Sequence, residues 1–225
     1  SRRRMANCKE ADMNPVEEWH ASTVGKAACE ALKKNDFNAI YVPTGAEALE
    51  HIAALIKPGM KIGFGGSMTL KAIGAPERAK ALGAEVLDHN VPGLSPEQKL
   101  AILRSQLTCD LFLSSSNAVT LDGEIVNVDG NGNRVAALTF GPARTVVVVG
   151  INKIVLDLDA AFDRIELRAS PMNNKRLERP NPCVKAGQCM DCQGPTRICR
   201  AYQILKRKPG LSDFTVIVVG EELGY

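Results

Sequence analysis

Short apolar runs alternate with segments of helical periodicity along most of the chain. Such alternation is typical of crossover connections, in which a helix joins two parallel strands of one sheet. The run at 145–149 is β-branched throughout and apolar on both faces, which predicts a central strand. Other strands are predicted at 39–42, 84–87, 110–114 and 214–219, and residues 61–66 are predicted to run from a strand into a loop. Helices are predicted to begin at Pro15 and Ser67, and over 45–56, 96–107 and 158–167.

The pattern changes between residues 118 and 140. Short apolar pieces are broken there by Asp122-Gly123 and by the run Asp129-Gly130-Asn131-Gly132-Asn133. Both are turn signals, so this stretch is predicted to be a hairpin or meander. Taken together, the elements predict an α/β fold with a mainly parallel sheet and flanking helices.

The composition shifts again after Ser170. Residues 171–195 have almost no apolar periodicity, so we expect a long loop that needs a bound group to order it. A short helix is predicted at 196–206, before the last strand. The predicted units are therefore an α/β domain over 5–170, a cysteine-rich segment over 171–210 and a returning strand within 211–225. Residues 1–4 precede Met5, which is interpreted as the native start.

Four of the seven cysteines fall within seventeen residues. Cys183, Cys189, Cys192 and Cys199 have the spacing C-x5-C-x2-C-x6-C, which provides enough thiolates for a tetrahedral zinc ion or a [4Fe-4S] cluster. Paired C-x2-C knuckles would indicate zinc, but only one such pair is present. We therefore favour an iron–sulfur cluster as the cofactor, with zinc as the alternative.

Charge and hydropathy narrow the classes of partner. The net charge of +3 is small and the basic residues form no stripe, so no nucleic-acid partner is expected. No apolar run approaches the ~20 residues that span a bilayer, so no membrane segment is expected. The N-terminus also lacks a signal peptide's apolar core, which favours a cytoplasmic location. Clustered free thiols are typical of that reducing compartment.

A glycine-rich loop is the first candidate for ligand binding. Gly63, Gly65, Gly66 and Ser67 follow a predicted strand and open a predicted helix, where backbone N–H groups can bind a phosphate or carboxylate. A tight strand-to-helix turn is the alternative interpretation. Two further candidates lie in the changed region: Asn117 ends a buried strand, and Asn131, Gly132 and Arg134 form a turn that could also bind an anionic ligand.

Three of these segments together resemble the LUD-domain proteins, a family named for lactate utilisation. The matching residues are 62–67, 120–134 and 148–155, and the likeness extends over roughly residues 12–180. It implies a fold similar to that of ribose-5-phosphate isomerase and the CoA transferases, with the glycine loop at the ligand cleft. The four-cysteine tail is similar to that of a subgroup of short LUD proteins.

Three functions follow from these features. The leading hypothesis is a redox or electron-transfer protein, or cluster-assisted chemistry, acting on a small anionic metabolite with a redox partner protein. The second is a ligand-binding or regulatory protein with structural zinc. The third is an isomerase or transferase for a phosphorylated or CoA-linked substrate, with Asp122, Glu124 and Lys153 as the candidate acid–base groups. A homo-oligomer is compatible with all three.

Overall fold

The structure is a computed structural model that describes residues 13–225. The start predicted at Met5 and the residues before it lie outside this range. Within it, the strands form two sheets. The strands are β1 (Asn38–Val42), β2 (Lys61–Phe64), β3 (Glu85–Leu87), β4 (Leu111–Ser114), β5 (Ala118–Thr120), β6 (Ile125–Asp129), β7 (Arg144–Gly150), β8 (Ile154–Val155), β9 (Ala201–Leu205) and β10 (Asp213–Val219).

Helices connect and cover these strands. The first begins as predicted, because Asn14 and Glu17 form a capping box and Pro15 occupies the first turn. No helix between residues 13 and 225 is both long and apolar enough to cross a bilayer. The helices are α1 (Pro15–Lys34), α2 (Gly45–Ala53), α3 (Met68–Ala72), α4 (Ala75–Ala81), α5 (Pro96–Ser105), α6 (Asn133–Thr139), α7 (Leu158–Arg164), α8 (Ser170–Arg176) and α9 (Cys183–Ala186).

The larger sheet has six strands in the order β1-β10-β7-β4-β2-β3, and every pairing is parallel. This confirms the predicted α/β class. Strand β7 lies inside the sheet, and its residues Val146–Val149 are fully buried, as the β-branched run predicted. Strand β3 follows β2 in the chain and lies beside it at one edge of the sheet. Strand β7 follows β4 in the six-stranded sheet and lies beside it on the opposite side. The direction of winding therefore reverses between β2 and β4.

Both faces of this sheet are covered. Val147 and Val149 of β7 pack into one core with α1 and the second sheet, whereas Val146 and Val148 pack into the other core with α2, α3 and α4. The alternation follows the pleat, which turns successive side chains to opposite faces. Because both faces are buried, the parallel strands are apolar along their length.

The second sheet has the order β8-β5-β6-β9. Strands β5 and β6 form the antiparallel hairpin predicted for the start of the 118–140 stretch, with Gly123 in its turn. The end of that stretch differs from the prediction, because residues 133–139 form α6 rather than another strand.

Two predictions for the C-terminal third are wrong. The loop predicted over 171–195 begins with α8, which continues the helical path of α7 through a wider π-helical segment, Ile165–Ala169. The loop is predicted because residues 171–195 have almost no apolar periodicity. Pro171 cannot donate to the preceding turn, and the wider segment lies just before it. The helix predicted at 196–206 is also wrong: residues 201–205 form β9, paired with β6. Tertiary pairing overrides the local helical propensity there.

Candidate functional site

The glycine loop meets the segment after β4 at the carboxyl edge of the six-stranded sheet. A Cβ atom on Gly65 would lie 2.6 Å from Ser114 Oγ and 3.1 Å from Arg134 Cδ. Only glycine allows this close approach of the two segments. The contact lies between β2 and β4, where the winding reverses, and open parallel sheets bind ligands in the crevice at such a switch point.

Arg134 fixes the backbone that follows β4. Its guanidinium donates to the Ser115 carbonyl at 3.2 Å and to the Asn117 side-chain oxygen at 3.0 Å. It also donates to Asn127 Oδ1 and to the Val128 carbonyl, at 2.5 and 2.7 Å. Burial lowers the pKa of Arg134, and Asp129 opposes that effect. Both Nη atoms are thus used to hold protein oxygens in place.

Lys153 is a lysine buried at the same edge, in the short 3₁₀ turn that follows β7. Its side chain is 3% exposed. Its Nζ donates to Thr69 Oγ1 at 2.8 Å and to Ser115 Oγ at 3.0 Å. Burial, with smaller effects from Arg164 and Arg134, lowers the pKa of Lys153 to about 7. A lysine with this pKa changes between its protonated and neutral forms near neutral pH.

Arg164 reaches the edge from α7. Its Nε donates to the Asn152 carbonyl at 2.9 Å, and its Nη1 donates to the Asn117 carbonyl at 2.6 Å. Its Nη2 is buried and has no hydrogen-bond partner among the described residues. Burial is the main cause that lowers the pKa of Arg164 to about 10, and Glu222 opposes the shift.

The four clustered cysteines line a single pocket. Cys183 is buried, whereas Cys189, Cys192 and Cys199 are half-buried. Burial raises the pKa of Cys183, and the charges of the other three thiols raise it further, which places all four in one electrostatic environment. In the part of the chain described, no three His, Cys, Asp or Glu side chains are arranged as a site for one metal ion. The donor set is nevertheless one that soft metals and iron–sulfur clusters prefer.

Hydrogen bonds fix this segment on α8. Asn181 donates to the Asn174 side chain at 2.6 Å and to the Thr196 carbonyl at 3.0 Å. Arg197 closes the other side, since it donates to the carbonyls of Cys192 and Cys199, each at 2.8 Å. The backbone around the thiols is therefore held by side chains from within the same segment and from α8.

Two elements connect the cysteine pocket to the carboxyl edge. The first is the helical stretch of α7 and α8, which carries Arg164 and whose Glu166 carbonyl accepts the Cys189 N–H at 2.8 Å. The second is the turn between β6 and α6: the Asp129 carbonyl accepts the Arg200 N–H at 3.0 Å, and the Asp129 side chain accepts the Arg134 N–H at 2.9 Å. The same backbone segments thus support both sites.

The predicted ligand residues divide into three groups. Gly65, Asn117 and Arg134 come together at the switch point, with Gly66 beside them in the loop at a positive φ of 66°. Gly63 and Ser67 have structural contacts: Gly63 packs on Phe112 and Gln106, and Ser67 caps α3.

Asn131 and Gly132 line a separate open groove of about 680 Å³ beside α5, together with His89. Gln106 joins this groove to the glycine loop, because its Nε2 contacts His89 Nδ1 at 3.2 Å and donates to the Phe64 carbonyl at 3.3 Å. Binding of a ligand by these eight residues stays a prediction.

Sequence reasoning missed most of the cationic site. Lys153 was identified only as a candidate acid–base group, and Arg164, Ser115 and Thr69 were not identified at all. The one available signal was the lysine directly after the most apolar strand. Of the other acid–base candidates, Glu124 pairs with Lys206 at 3.4 Å and Asp122 lies in the hairpin turn beside the end of α1. Only Lys153 lies at the carboxyl edge.

Comparison with known proteins identifies the family. The family model described as the LUD domain matches residues 26–219. A search of curated proteins gives no match. Among solved structures, a DUF162 family protein from Deinococcus radiodurans has 16% identity and a TM-score of 0.49, covering 88% of this chain and 98% of its own. Since the family model covers well over half of the 225 residues, the chain belongs to the LUD domain family.

Proposed function

We propose that the four cysteines hold an iron–sulfur cluster, and that the protein transfers electrons to or from a small anionic metabolite. The observation that carries the proposal is the convergence of Cys183, Cys189, Cys192 and Cys199 on one pocket. Cysteine binds metal as the thiolate, and the four negative charges of four thiolates in one pocket would be compensated by a bound cation or cluster. A [4Fe-4S] cluster accepts four such ligands and would supply one-electron transfer when bound.

The surroundings of the pocket suit a redox role. The Asp191 N–H points to Cys189 Sγ at 3.4 Å, and N–H groups directed at sulfur are one of the factors that set a cluster's reduction potential. Arg197 also lines the pocket, but its ion pair with Asp191 at 2.7 Å offsets its positive charge, so the N–H groups of the backbone are the main electrostatic contribution. Because three of the cysteines are only half-buried, a redox partner protein could exchange electrons at this surface.

The metabolite would bind at the carboxyl edge. The cations of Lys153, Arg134 and Arg164 favour an anion there, and shared backbone segments connect that edge to the cysteine pocket. Membership of a family named for lactate utilisation supports a small organic acid as the metabolite. Structural zinc in the same four thiols is the competing interpretation, because zinc also accepts Cys₄ sites.

Voltammetry of protein purified without oxygen separates the two interpretations. We expect one reversible one-electron wave, since the cluster can be reduced and reoxidised. Zinc has a filled d shell and no redox chemistry, so a zinc site gives no wave. A redox-silent protein that contains one zinc per chain would contradict the proposal and support the structural role.

A further inference from the structure

Cations from three elements surround the segment that follows β4. Lys153 comes from the turn after β7, Arg134 from α6 and Arg164 from α7. Every hydrogen-bond acceptor of their side chains is a neutral hydroxyl, amide or carbonyl oxygen. Carboxylates lie close enough to affect the two arginines only: burial lowers the pKa of both, and Asp129 opposes this shift at Arg134 as Glu222 does at Arg164. Lys153 therefore has no carboxylate partner within the described residues.

Two of these cations have donors that the protein does not use. An ammonium has three N–H donors, and Lys153 directs two of them to Thr69 and Ser115. Arg164 is 7% exposed, and its buried Nη2 has no partner in residues 13–225. Buried donors in native proteins are nearly always paired. Unused donors on two adjacent cations therefore indicate an acceptor that the chain itself does not supply.

The donors also lie where a parallel sheet binds ligands. Ser115 follows β4, Lys153 follows β7, and Thr69 lies in α3, directly after β2 and the glycine loop. These are the carboxyl ends of three adjacent strands, on either side of the reversal between β2 and β4. We propose that Lys153 and Arg164, with the hydroxyls of Thr69 and Ser115, bind the carboxylate of a small organic acid.

These contacts support a binding site for an oxyanion. The identification of that oxyanion as a carboxylate rests on the proposed function. A carboxylate has two oxygens and about four lone-pair directions, enough to accept from both the ammonium and the guanidinium. Its charge would also compensate the buried cations. A phosphate group has the same acceptor chemistry, so the experiment includes both kinds of anion.

Leu223 and Gly224 cover the site, so the ligand enters only if they move. A Cβ atom on Gly224 would lie 2.7 Å from Thr69 Oγ1 and 3.5 Å from Lys153 Nζ. Leu223 and Gly224 are held by three hydrogen bonds: Asn152 accepts the Leu223 N–H at 3.1 Å and donates to the Gly224 carbonyl at 3.0 Å, and Thr69 donates to the Leu223 carbonyl at 3.0 Å. Displacement of Leu223 and Gly224 breaks these three hydrogen bonds and uncovers the side of Nζ that faces Gly224.

Calorimetric titration of the full chain at pH 7 tests the proposal with L-lactate, pyruvate and inorganic phosphate as probes. We expect saturable binding of a carboxylate, weakened by about 10- to 100-fold in Lys153→Met, because a hydrogen bond to a charged group is lost. Lys71→Met, which changes an exposed lysine on α3, is the matched control and should bind as the wild type does. Unchanged affinity in Lys153→Met, or no saturable binding of any probe, would overturn the site.

A second measurement does not depend on the variant. Carboxylate binding should favour protonated Lys153, so the wild-type affinity should fall as the pH rises from 7 to 9. The charged groups around Nζ are Arg164 and Arg134, which remain protonated throughout this range and give no such dependence themselves. Affinity independent of pH would contradict the role of Lys153, and binding of phosphate alone would contradict the choice of a carboxylate.

Iron is measured in the same samples, which are purified without oxygen. Carboxylate binding in protein that contains no iron would refute the cluster and leave the oxyanion site intact. Full iron content without anion binding would refute the oxyanion site and leave the cluster intact. Each proposal can therefore be refuted without the other.

Discussion

Replacement of Lys153 by methionine is expected to raise the free energy of unfolding by about 2–4 kcal/mol at pH 7. Folding lowers the pKa of Lys153 from 10.5 to about 7, so the folded state holds this proton less tightly than the unfolded chain does. Each pKa unit corresponds to about 1.4 kcal/mol, and the two lost hydrogen bonds offset part of the gain. Methionine has a similar length and no charge to bury.

The gain in the free energy of unfolding of Lys153→Met should become smaller as the pH rises. Below pH 7 both states bind the proton, and the folded state carries the full cost of the buried charge. Between pH 7 and 10.5 only the unfolded chain remains protonated, so wild-type stability rises with pH. The advantage of Lys153→Met should therefore fall by about 2 kcal/mol between pH 7 and pH 9.

Urea unfolding of both proteins at pH 7 and pH 9 measures this difference, and ionisations common to both cancel. Lys71→Met should change the stability by less than about 0.5 kcal/mol at either pH. A Lys153→Met variant that is less stable than the wild type at pH 7, or whose advantage does not shrink, would contradict a buried charged lysine. If Lys153→Met is more stable than the wild type and also binds anions more weakly, then Lys153 lowers the stability of the protein and contributes to ligand binding.

Replacement of Cys189 by serine is expected to remove nearly all of the bound iron. The backbone of Cys189 is held by its N–H bond to the Glu166 carbonyl, so serine can take the same place. Its hydroxyl is a poor substitute for a thiolate, which is the form of cysteine that binds metal. Iron content and visible absorbance after oxygen-free purification measure the loss.

Cys29→Ala provides the control for this variant. Cys29 is a buried cysteine of α1 outside the pocket, and burial raises its pKa to about 11, so it remains a neutral thiol. Its removal should leave the iron content unchanged. Equal iron content in Cys189→Ser and the wild type would show that the four thiols do not act as one site.

The fold was largely readable from the sequence because its main signals are local. The β-branched run of β7 gave a central strand, and the capping residues Asn14 and Pro15 gave the start of α1. Strand β9 could not be recognised, because its order depends on pairing with β6, more than seventy residues earlier in the chain. Helix α8 was missed because the residues after Ser170 show almost no apolar periodicity, and the wider turn that precedes Pro171 has no sequence signal.

The candidate site was readable only in part, for a related reason. Gly65 and Asn117 follow the neighbouring strands β2 and β4, so the order of strands brings them close to Arg134. Arg164 gave no such signal, because an arginine in a helix is normally solvent-exposed and its burial follows from how α7 packs on the second sheet. The cysteines were found because four thiols so close in sequence can reach one pocket with short connections.

The central claim is that the four thiols hold an iron–sulfur cluster, and chemical analysis of iron, sulfide and zinc in protein purified without oxygen tests it most directly. We expect about four iron and about four acid-labile sulfide per chain, in a brown protein. A colourless protein with one zinc per chain and no sulfide would contradict the claim.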